Sequence, residues 1–252
     1  MVSRYDRRAA FEQVADALRD RIARGEYEPG SQLPSYTQLE SEYGVAITTA
    51  QRAIRTLKAE GLIEGQRGKG NFVRRERPVV TIPASYIAPA DGKWHGWRAT
   101  ARLHGMDGSQ TLDEVTEGDP PTPVADALRL EDGELVVVRR RTMYLDGKPV
   151  QLADSYYAAE LARGTLLARN EKIPRGTPAL LDEMGYKTAE CEEFVTARMP
   201  TTGEAEALKL GPGVPVIEMV RVTKAENDVP VQCEVFVLAA DRHRLKYVLP
   251  NC

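Results

Sequence analysis

The sequence is poor in the residues that build disulfide frameworks, metal sites and membrane spans. Its 252 residues include three cysteines and three histidines. No C-x-x-C, H-x-x-x-H or H-E-x-x-H spacing occurs, so we expect neither a disulfide scaffold nor a bound metal. No apolar run approaches the ~18 residues of a membrane helix, and the first twenty residues lack the apolar core of a secretory signal. We therefore expect a cytoplasmic protein without a membrane partner.

Catalytic motifs are also missing from the sequence. There is no G-x-S-x-G, no Walker A motif and no G-x-G-x-x-G after a strand, and no pair of carboxylates stands out. We therefore expect no enzyme activity and no cofactor. Hydrophobic residues make up 42% of the chain and charged residues 28%, which is typical of a folded globular protein. The length fits one large domain or two modest ones.

The charge of the chain is unevenly distributed. The whole sequence carries a net −3, which by itself argues against nucleic acid. Residues 1–77, however, hold 14 basic and 11 acidic residues, whereas the remainder holds 20 and 26. Within residues 43–77 the count is 8 basic to 3 acidic. A basic segment inside an acidic chain indicates a local polyanion-binding module, although a chance charge difference of this size is an equal alternative.

The N-terminal segment has the periodicity of three helices followed by a hairpin. An apolar face recurs from Phe11 to Ile22, and Ser35 with Gln38 predicts a capping box at the start of a second helix. A third helix is predicted over about 46–60, and a hairpin with a glycine-bearing tip over 62–73. Three helices and a hairpin are the plan of a winged helix-turn-helix domain.

The third helix and the hairpin tip present polar and basic residues that suit DNA. Glutamine can pair with adenine, threonine can meet a thymine methyl, and arginine can bind guanine or phosphate. Glycines in the tip allow its backbone to approach the duplex. The alternative is a small helical domain with a solvated charged surface. The predicted contacts are Thr48, Thr49, Gln51, Arg52 and Arg55 on the helix and Arg67, Gly68, Lys69 and Gly70 on the tip.

The same segment resembles the DNA-binding domain of the GntR family of bacterial transcriptional regulators. The resemblance runs in order over about seventy residues. It is carried by 22–30 (IARGEYEPG), 33–35 (LPS), Leu39, 44–45 (GV), Thr49, 52–53 (RA), Leu57, 60–63 (EGLI) and 68–73 (GKGNFV). The resemblance implies further DNA contacts from Ser35, Tyr36, Thr37 and Ile47.

The sequence departs from the GntR pattern at two places. The family usually has Glu-Arg where this chain has Tyr36 and Thr37, and Ser-Arg where it has Ala46 and Ile47. Both missing arginines lie where relatives contact DNA, so we expect an altered operator sequence or weaker binding. The lost serine is also a helix N-cap, whose replacement by alanine typically costs about 1 kcal/mol.

The rest of the chain is predicted to form an α+β domain with an antiparallel sheet. We place the winged helix-turn-helix domain at 1–75, a charged linker at 76–84 and the second domain at 85–252. From residue 120 onward, helices alternate irregularly with hairpins, whose turns are Asp146-Gly147 and Asn227-Asp228. Helices are predicted over 124–130, 160–169, 178–184 and 203–208. Strands are predicted over 135–144, 150–156, 192–198, 214–223 and 229–238, the stretch 246–249 closes the chain, and 78–118 resists assignment.

The order of these elements resembles the UTRA effector-binding domain of the HutC subfamily within the GntR family. The resemblance is carried by 124–128 (VADAL), 138–141 (VRRR), 146–150 (DGKPV) and 154–156 (DSY), and again by 220–221 and 229–231. It implies a fold similar to that of chorismate lyase. It also implies that Arg141 lies where relatives hold an anionic effector.

Several residues of the second domain are candidates for effector binding. Strand alternation places Arg139 and Arg141 on one face, and an arginine fork suits phosphate or carboxylate. The alternatives are surface ion pairs for the arginines and core packing for the tryptophans. Met143 stands where sugar-phosphate binders often have a second arginine, so a larger or more apolar effector is an open alternative. The candidates are Arg139, Arg141, Asp154, Ser155, Tyr156, Trp94 and Trp97.

Taken together, these features predict a ligand-responsive transcriptional regulator, most simply a repressor. Its expected partners are a two-fold symmetric double-stranded DNA operator, a small-molecule effector and a second copy of the chain, because each winged helix reads one half-site. Two alternatives remain open from the residues. One is a small-molecule-processing enzyme of chorismate-lyase-like fold with an accessory DNA-binding domain. The other is a structural DNA-binding protein without a ligand.

Overall fold

The computed structural model describes residue 6 and residues 8–74, 79–81, 97–103, 105–211, 213–245 and 247. The chain divides into an N-terminal unit, Met1–Arg77 with Leu210–Val214, and a C-terminal unit, Pro78–Lys209 with Pro215–Cys252. Within the predicted linker, residues 79–81 form a strand of the C-terminal unit. Among the described residues, no helix has both the length and the apolar character needed to cross a membrane.

The N-terminal unit is a winged helix-turn-helix. Its helices are α1 (Ala10–Ala23), α2 (Tyr36–Tyr43) and α3 (Ile47–Ala59), and its wing strands are β1 (Ile63–Gln66) and β2 (Gly70–Val73). The apolar face of each helix turns inward, and the shared core includes Val14, Leu18, Leu39, Ile54 and Leu57. The predicted three helices and hairpin are confirmed.

The two helices of the helix-turn-helix start differently. Ser35 caps α2: its hydroxyl accepts a hydrogen bond from the Gln38 amide, and the Gln38 side chain accepts one from the Ser35 amide, as the capping box predicts. Gly44 ends α2 in the left-handed region, at φ 65°. Ala46 stands at the N-cap of α3 and offers no side-chain acceptor, so α3 begins without a cap hydrogen bond.

Replacing Ala46 with serine is expected to stabilise α3 by about 1 kcal/mol, because a serine hydroxyl supplies the missing acceptor. Native-state hydrogen exchange at the α3 amides measures this, and we expect exchange to slow roughly fivefold. Ala46→Val is the matched control because valine is as poor an N-cap as alanine. Equal exchange rates in the serine and valine variants would show that the cap does not limit α3.

The C-terminal unit is built on a six-stranded antiparallel sheet. The spatial order of the strands is β4-β5-β6-β9-β8-β7. The strands are β4 (Gly108–Gly118), β5 (Val136–Leu145), β6 (Lys148–Ala158), β7 (Thr188–Arg198), β8 (Val216–Ala225) and β9 (Val229–Ala239). The two predicted hairpins, β5–β6 and β8–β9, turn at Asp146-Gly147 and Asn227-Asp228, where all four residues have positive φ. The predicted α+β class is confirmed.

Short helices cover both faces of the sheet. Helix α5 (Thr122–Leu128) packs on one face through Val124 and Leu128. The other face is covered by α4 (Trp97–Leu103), α6 (Ala159–Ala162), a 3-10 turn at Leu166–Ala168 and α7 (Thr177–Glu183). Helix α8 (Thr202–Ala207) precedes β8. The side chains of β5 alternate accordingly, with Val138 toward α5 and Val137 toward α6 and α7.

Two sequence predictions differ from the structure here. The single helix predicted over 160–169 is instead α6 and the 3-10 turn, because Gly164 takes φ 76° and breaks the helix between them. Residues 78–118, which resist assignment, contain strand β3 (Val79–Thr81), α4 and the edge strand β4. Strand β10 (His243–Leu245) pairs in parallel with β3. The closing stretch 246–249 lies, apart from residue 247, outside the described residues.

His243 on β10 links the stability of the C-terminal unit to pH. Its ring is buried, and Nδ1 lies 3.0 Å from the Ala239 carbonyl oxygen. Burial lowers the pKa of His243 from 6.5 to about 4. As the pH falls from 6.5 to 4, this histidine therefore binds a proton in the unfolded chain but not in the native chain. The free energy of unfolding is expected to drop by about 3 kcal/mol between pH 6.5 and pH 4 from this group.

The pH dependence of chemical unfolding tests this role of His243. The difference between the wild-type curve and that of His243→Gln isolates the histidine from the carboxylates that titrate in the same range. We expect the difference between the two free energies of unfolding to change by about 3 kcal/mol as the pH falls from 6.5 to 4. Parallel curves would show that His243 is not held neutral by the fold.

Candidate functional site

The N-terminal unit presents one polar surface formed by the outer side of α3. Thr48, Gln51, Arg52 and Arg55 are exposed on it, and Thr49 is half-buried. The apolar residues between them, such as Ala53 and Ile54, are buried. This alternation follows the helical period, so the residues predicted to contact DNA share one side of α3.

Arg52 is held in place from within the N-terminal unit. Its guanidinium lies 3.8 Å from the centre of the Phe11 ring on α1. A cation over an aromatic face is attracted by the ring quadrupole, which limits the arginine's rotamer freedom. Arg52 is therefore presented outward in a restricted geometry.

The two positions that depart from the GntR pattern are both on the surface. Thr37 is exposed near the start of α2, and Tyr36 beside it is half-buried. Ile47 opens α3 with 38% of its surface exposed. An apolar contact surface thus stands where a positive charge would be expected.

The wing reaches the solvent through a tight tip. Strands β1 and β2 pair from Ile63 with Val73 to Gln66 with Gly70. The tip residues Arg67, Gly68 and Lys69 are exposed, and Gly70 takes φ 115°, a conformation that favours glycine. The Gln32 side chain donates a hydrogen bond to the Lys69 carbonyl at 2.7 Å, which ties the tip to the segment before α2. Sequence reasoning missed this role of Gln32.

The C-terminal unit contains a cavity of about 740 Å³ between the sheet and the elements on its α4 face. This volume falls within the range of small-molecule sites. Five of the lining residues are cationic, and among the described residues that line the cavity there is no carboxylate. The cations are Arg98 from α4, Arg139 and Arg141 from β5, and Lys172 and Arg175 from the loop before α7.

Arg141 is the arginine that the sheet positions at the cavity. Its Nη2 donates a hydrogen bond to Ser155 Oγ at 2.6 Å and another to Glu234 Oε1 at 3.2 Å. Ser155 in turn donates to the same Glu234 oxygen at 2.9 Å. Ser155 and Glu234 are buried, while the Arg141 side chain stays partly accessible. The two buried residues therefore fix the orientation of Arg141 from beneath.

Arg139 lines the cavity, and its guanidinium is engaged by backbone carbonyls of the cavity wall. Its Nη1 donates to the carbonyls of Leu166, Leu167 and Arg169, and its Nη2 donates to that of Glu171. All four distances lie between 2.7 and 3.0 Å. Burial lowers the pKa of the Arg139 guanidinium, although it remains the donor to four carbonyls. The loop that it holds carries Lys172 and Arg175 to the cavity.

Arg139→Lys is expected to make this loop more mobile. The single ammonium group of lysine cannot donate to all four carbonyls that the planar guanidinium reaches. Each buried carbonyl left without a donor costs about 1–3 kcal/mol. Amide exchange across residues 166–176 should therefore accelerate by at least about tenfold, as measured by hydrogen–deuterium exchange. The control is Arg140→Lys, since Arg140 pairs with Glu114 and Asp154 on the other face. Equal protection of the loop in both variants would refute this role.

The structure separates the remaining predicted effector residues. Trp97 lines the cavity and donates its indole N–H to the Tyr144 carbonyl at 2.9 Å, whereas Trp94 lies outside the described residues. Asp154 and Tyr156 do not line the cavity. They alternate with Ser155 and so project to the face that α5 covers, where the Tyr156 hydroxyl donates to Asp154. Asp154 and Tyr156 therefore leave the candidate effector site.

Sequence reasoning missed the cations that α4 and the loop before α7 contribute. Arg98 donates to the Gly108 carbonyl, and Arg175 pairs with Glu183 on α7. The run Lys172-Ile173-Pro174-Arg175-Gly176 does carry a signal, since two cations flank a proline and precede a glycine ahead of a helix. Only the fold shows that this run faces Arg141.

These features define a class of protein: a winged helix-turn-helix and a small-molecule-binding α+β unit on one chain, the architecture of a ligand-responsive DNA-binding transcriptional regulator. Residues 10–73 match the family model described as bacterial regulatory proteins, gntR family. Residues 104–244 match the model of the UTRA domain. The chain belongs to the GntR family of bacterial transcriptional regulators, in the branch that carries a UTRA domain.

Relatives and solved structures agree with this assignment. An HTH-type transcriptional regulator of Streptomyces coelicolor is 29% identical over 247 residues, covering 94% of this chain and 91% of the relative. The histidine utilization repressor of Pseudomonas putida is 28% identical over 242 residues, covering 94% and 90%. A crystal structure of a GntR-family regulator superposes with a TM-score of 0.70 at 27% identity, covering 97% and 99%. The predicted HutC-type assignment is confirmed, and the enzyme alternative is not favoured.

Proposed function

We propose that this chain is a repressor that leaves its operator when a small anionic molecule occupies the cavity of the C-terminal unit. The observation that carries the proposal is the cavity of about 740 Å³ with five cationic lining residues. Arg139 and Arg141 are committed to carbonyls and to Glu234, and Arg175 to Glu183. The positive charge still exceeds the negative charge at the site, which favours an anion such as a phosphate monoester or a carboxylate.

The shape of the cavity also bears on the effector. Trp97, Leu112, Ile173 and Pro174 supply apolar lining beside the cations. Such a mixture suits a molecule with one anionic end and a less polar body. A free inorganic anion would contact the same cations but leave the apolar wall without a partner, so we expect it to bind at the same place and more weakly.

We propose that DNA is read by the outer side of α3, the start of α2 and the wing tip. Support comes from the exposure of these residues and from the charges on Arg52, Arg55, Arg67 and Lys69. Thr37 and Ile47 replace two cations, so an operator with apolar contacts, such as thymine methyl groups, suits the start of α3. The protein acts in the cytoplasm as a homodimer on a two-fold symmetric operator.

The test is binding of the full chain to DNA upstream of its own coding sequence, at a fixed moderate salt concentration. Footprinting should reveal two half-sites related by a two-fold axis and separated by about one helical turn or a multiple of it. Candidate anions are then scored by loss of the footprint. Binding without sequence preference, with or without ligands, would reject the proposal.

A further inference from the structure

A row of polar side chains crosses the C-terminal sheet beneath the cavity. Cross-strand partners share a face of the sheet, and the row follows four successive partnerships. In order across β5, β6, β9, β8 and β7, the partners are Arg139, Ser155, Glu234, Arg221 and Glu193. Arg141, two residues from Arg139 on β5, lies on the same face. These side chains are buried or nearly so, with Arg221 only 1% exposed.

The cavity end of the row is the contact between Arg141 and Glu234. Arg141 and Ser155 both donate to Glu234 Oε1. The other carboxylate oxygen, Glu234 Oε2, is buried and accepts no hydrogen bond from the described residues. Arg221 Nη1 lies 3.9 Å from it, beyond hydrogen-bond distance. A buried carboxylate oxygen without a donor lowers the stability of the fold. Glu234 therefore lies between two arginines with the hydrogen-bonding capacity of one oxygen unused.

The far end of the row reaches Tyr247, two residues after the end of β10. Arg221 Nε donates to Glu193 Oε1 at 2.7 Å, and the Tyr247 hydroxyl donates to Glu193 Oε2 at 2.9 Å. Partial burial and the hydrogen bond to Glu193 raise the pKa of Tyr247 to about 12. Tyr247 follows β10, whose parallel partner β3 is the first strand after the N-terminal unit in the sequence.

We propose that this row is a switch that transmits occupancy of the cavity to Tyr247. An anion bound by Arg141 competes with Glu234 for that arginine. Glu234 then moves within hydrogen-bond distance of Arg221. The contact between Arg221 and Glu193 weakens as a result, and so does the hydrogen bond from Tyr247 to Glu193. The inference rests on the proposed function, because it takes the cavity as the effector site. Glu234 is paired with Arg141 and lies 3.9 Å from Arg221, so an anion that takes Arg141 leaves Arg221 as the cation nearest to Glu234.

The switch is tested by placing 3-fluorotyrosine at position 247 of the full chain and recording its ¹⁹F resonance. Arg141→Met removes the Arg141 donor from Glu234 without placing an anion in the cavity, and we expect the resonance to shift. Glu234→Gln should also shift it. Arg140→Met is the matched control, because Arg140 faces α5 and pairs outside the row, and should leave the resonance in place. An unmoved resonance in both Arg141→Met and Glu234→Gln would overturn the switch.

A double-mutant cycle provides a second measurement. Arg141 and Glu193 lie on β5 and β7, four strand spacings or roughly 19 Å apart, a separation at which independent residues act additively. We expect Arg141→Met and Glu193→Gln to be non-additive by about threefold or more in the unfolding equilibrium constant of the C-terminal unit. Additivity within about twofold would contradict the switch.

Inorganic phosphate, as a probe anion, separates failure of the switch from failure of the proposed function. Binding is followed by the fluorescence of Trp97 in a Trp94→Phe background. If phosphate changes this fluorescence but not the position 247 resonance, the switch is overturned and the anion site stands. If phosphate changes neither while Arg141→Met moves the resonance, the switch stands and the anion site fails. If phosphate changes both the Trp97 fluorescence and the position 247 resonance, and Glu234→Gln abolishes only the resonance change, the switch and the anion site are both supported.

Discussion

Arg52→Ala is expected to weaken operator binding by roughly tenfold to one hundredfold, the range for loss of an arginine at a base or phosphate contact. Arg52 is exposed on α3 and its guanidinium is held 3.8 Å from the centre of the Phe11 ring. The side chain therefore loses little conformational entropy when it binds DNA. Because little of the contact free energy is offset by this entropy cost, removing the side chain loses most of it. Fluorescence anisotropy with labelled operator DNA measures the change at a fixed salt concentration.

The matched control for Arg52 is Arg24→Ala. Arg24 is also exposed, and its removal changes the net charge equally, but it stands at the C-cap of α1. We expect Arg24→Ala to alter operator affinity by less than about twofold, since charges outside the contact surface are screened by salt. Equal losses in the two variants would show that affinity follows net charge and not the α3 surface.

Arg141→Ala is expected to leave operator affinity unchanged and to make the effector less effective at releasing the operator. The concentration of effector that releases half of the operator should rise roughly tenfold to one hundredfold, because a hydrogen bond to a charged group contributes about 1.5–3 kcal/mol. Operator affinity without effector should stay within about twofold of wild type. Operator anisotropy during an effector titration gives both quantities.

Arg140→Ala is the control for Arg141→Ala, because it removes the next arginine on the same strand, which pairs with Glu114 and Asp154 away from the cavity. It should leave the half-release concentration unchanged. An Arg141→Ala protein that remains folded but responds to the effector like wild type would remove this arginine from the site.

The N-terminal unit was predictable because its local signals agree with one another. The apolar period of α1 and α3, the Ser35–Gln38 capping box and the glycines of the wing each specify their element without distant contacts. Gln32 was missed because its hydrogen bond to Lys69 joins residues far apart in sequence.

The C-terminal unit was predictable in class but not in detail. The hairpins of β5–β6 and β8–β9 carry strong turn signals, whereas β4 is an edge strand with mostly exposed side chains and no clear alternation. The effector candidates show the same limit. Strand alternation correctly places Arg139 and Arg141 on one face, but the carbonyls that occupy Arg139 belong to a loop whose path the sequence does not specify.

The most direct test of the central claim is the affinity of the chain for its operator at increasing effector concentration, with an effector selected by stabilisation of the protein and by Trp97 fluorescence. We expect operator affinity to fall to a plateau, and operator DNA to weaken effector binding by the same factor, because linkage is reciprocal. An operator affinity that stays constant while the cavity becomes saturated would contradict it.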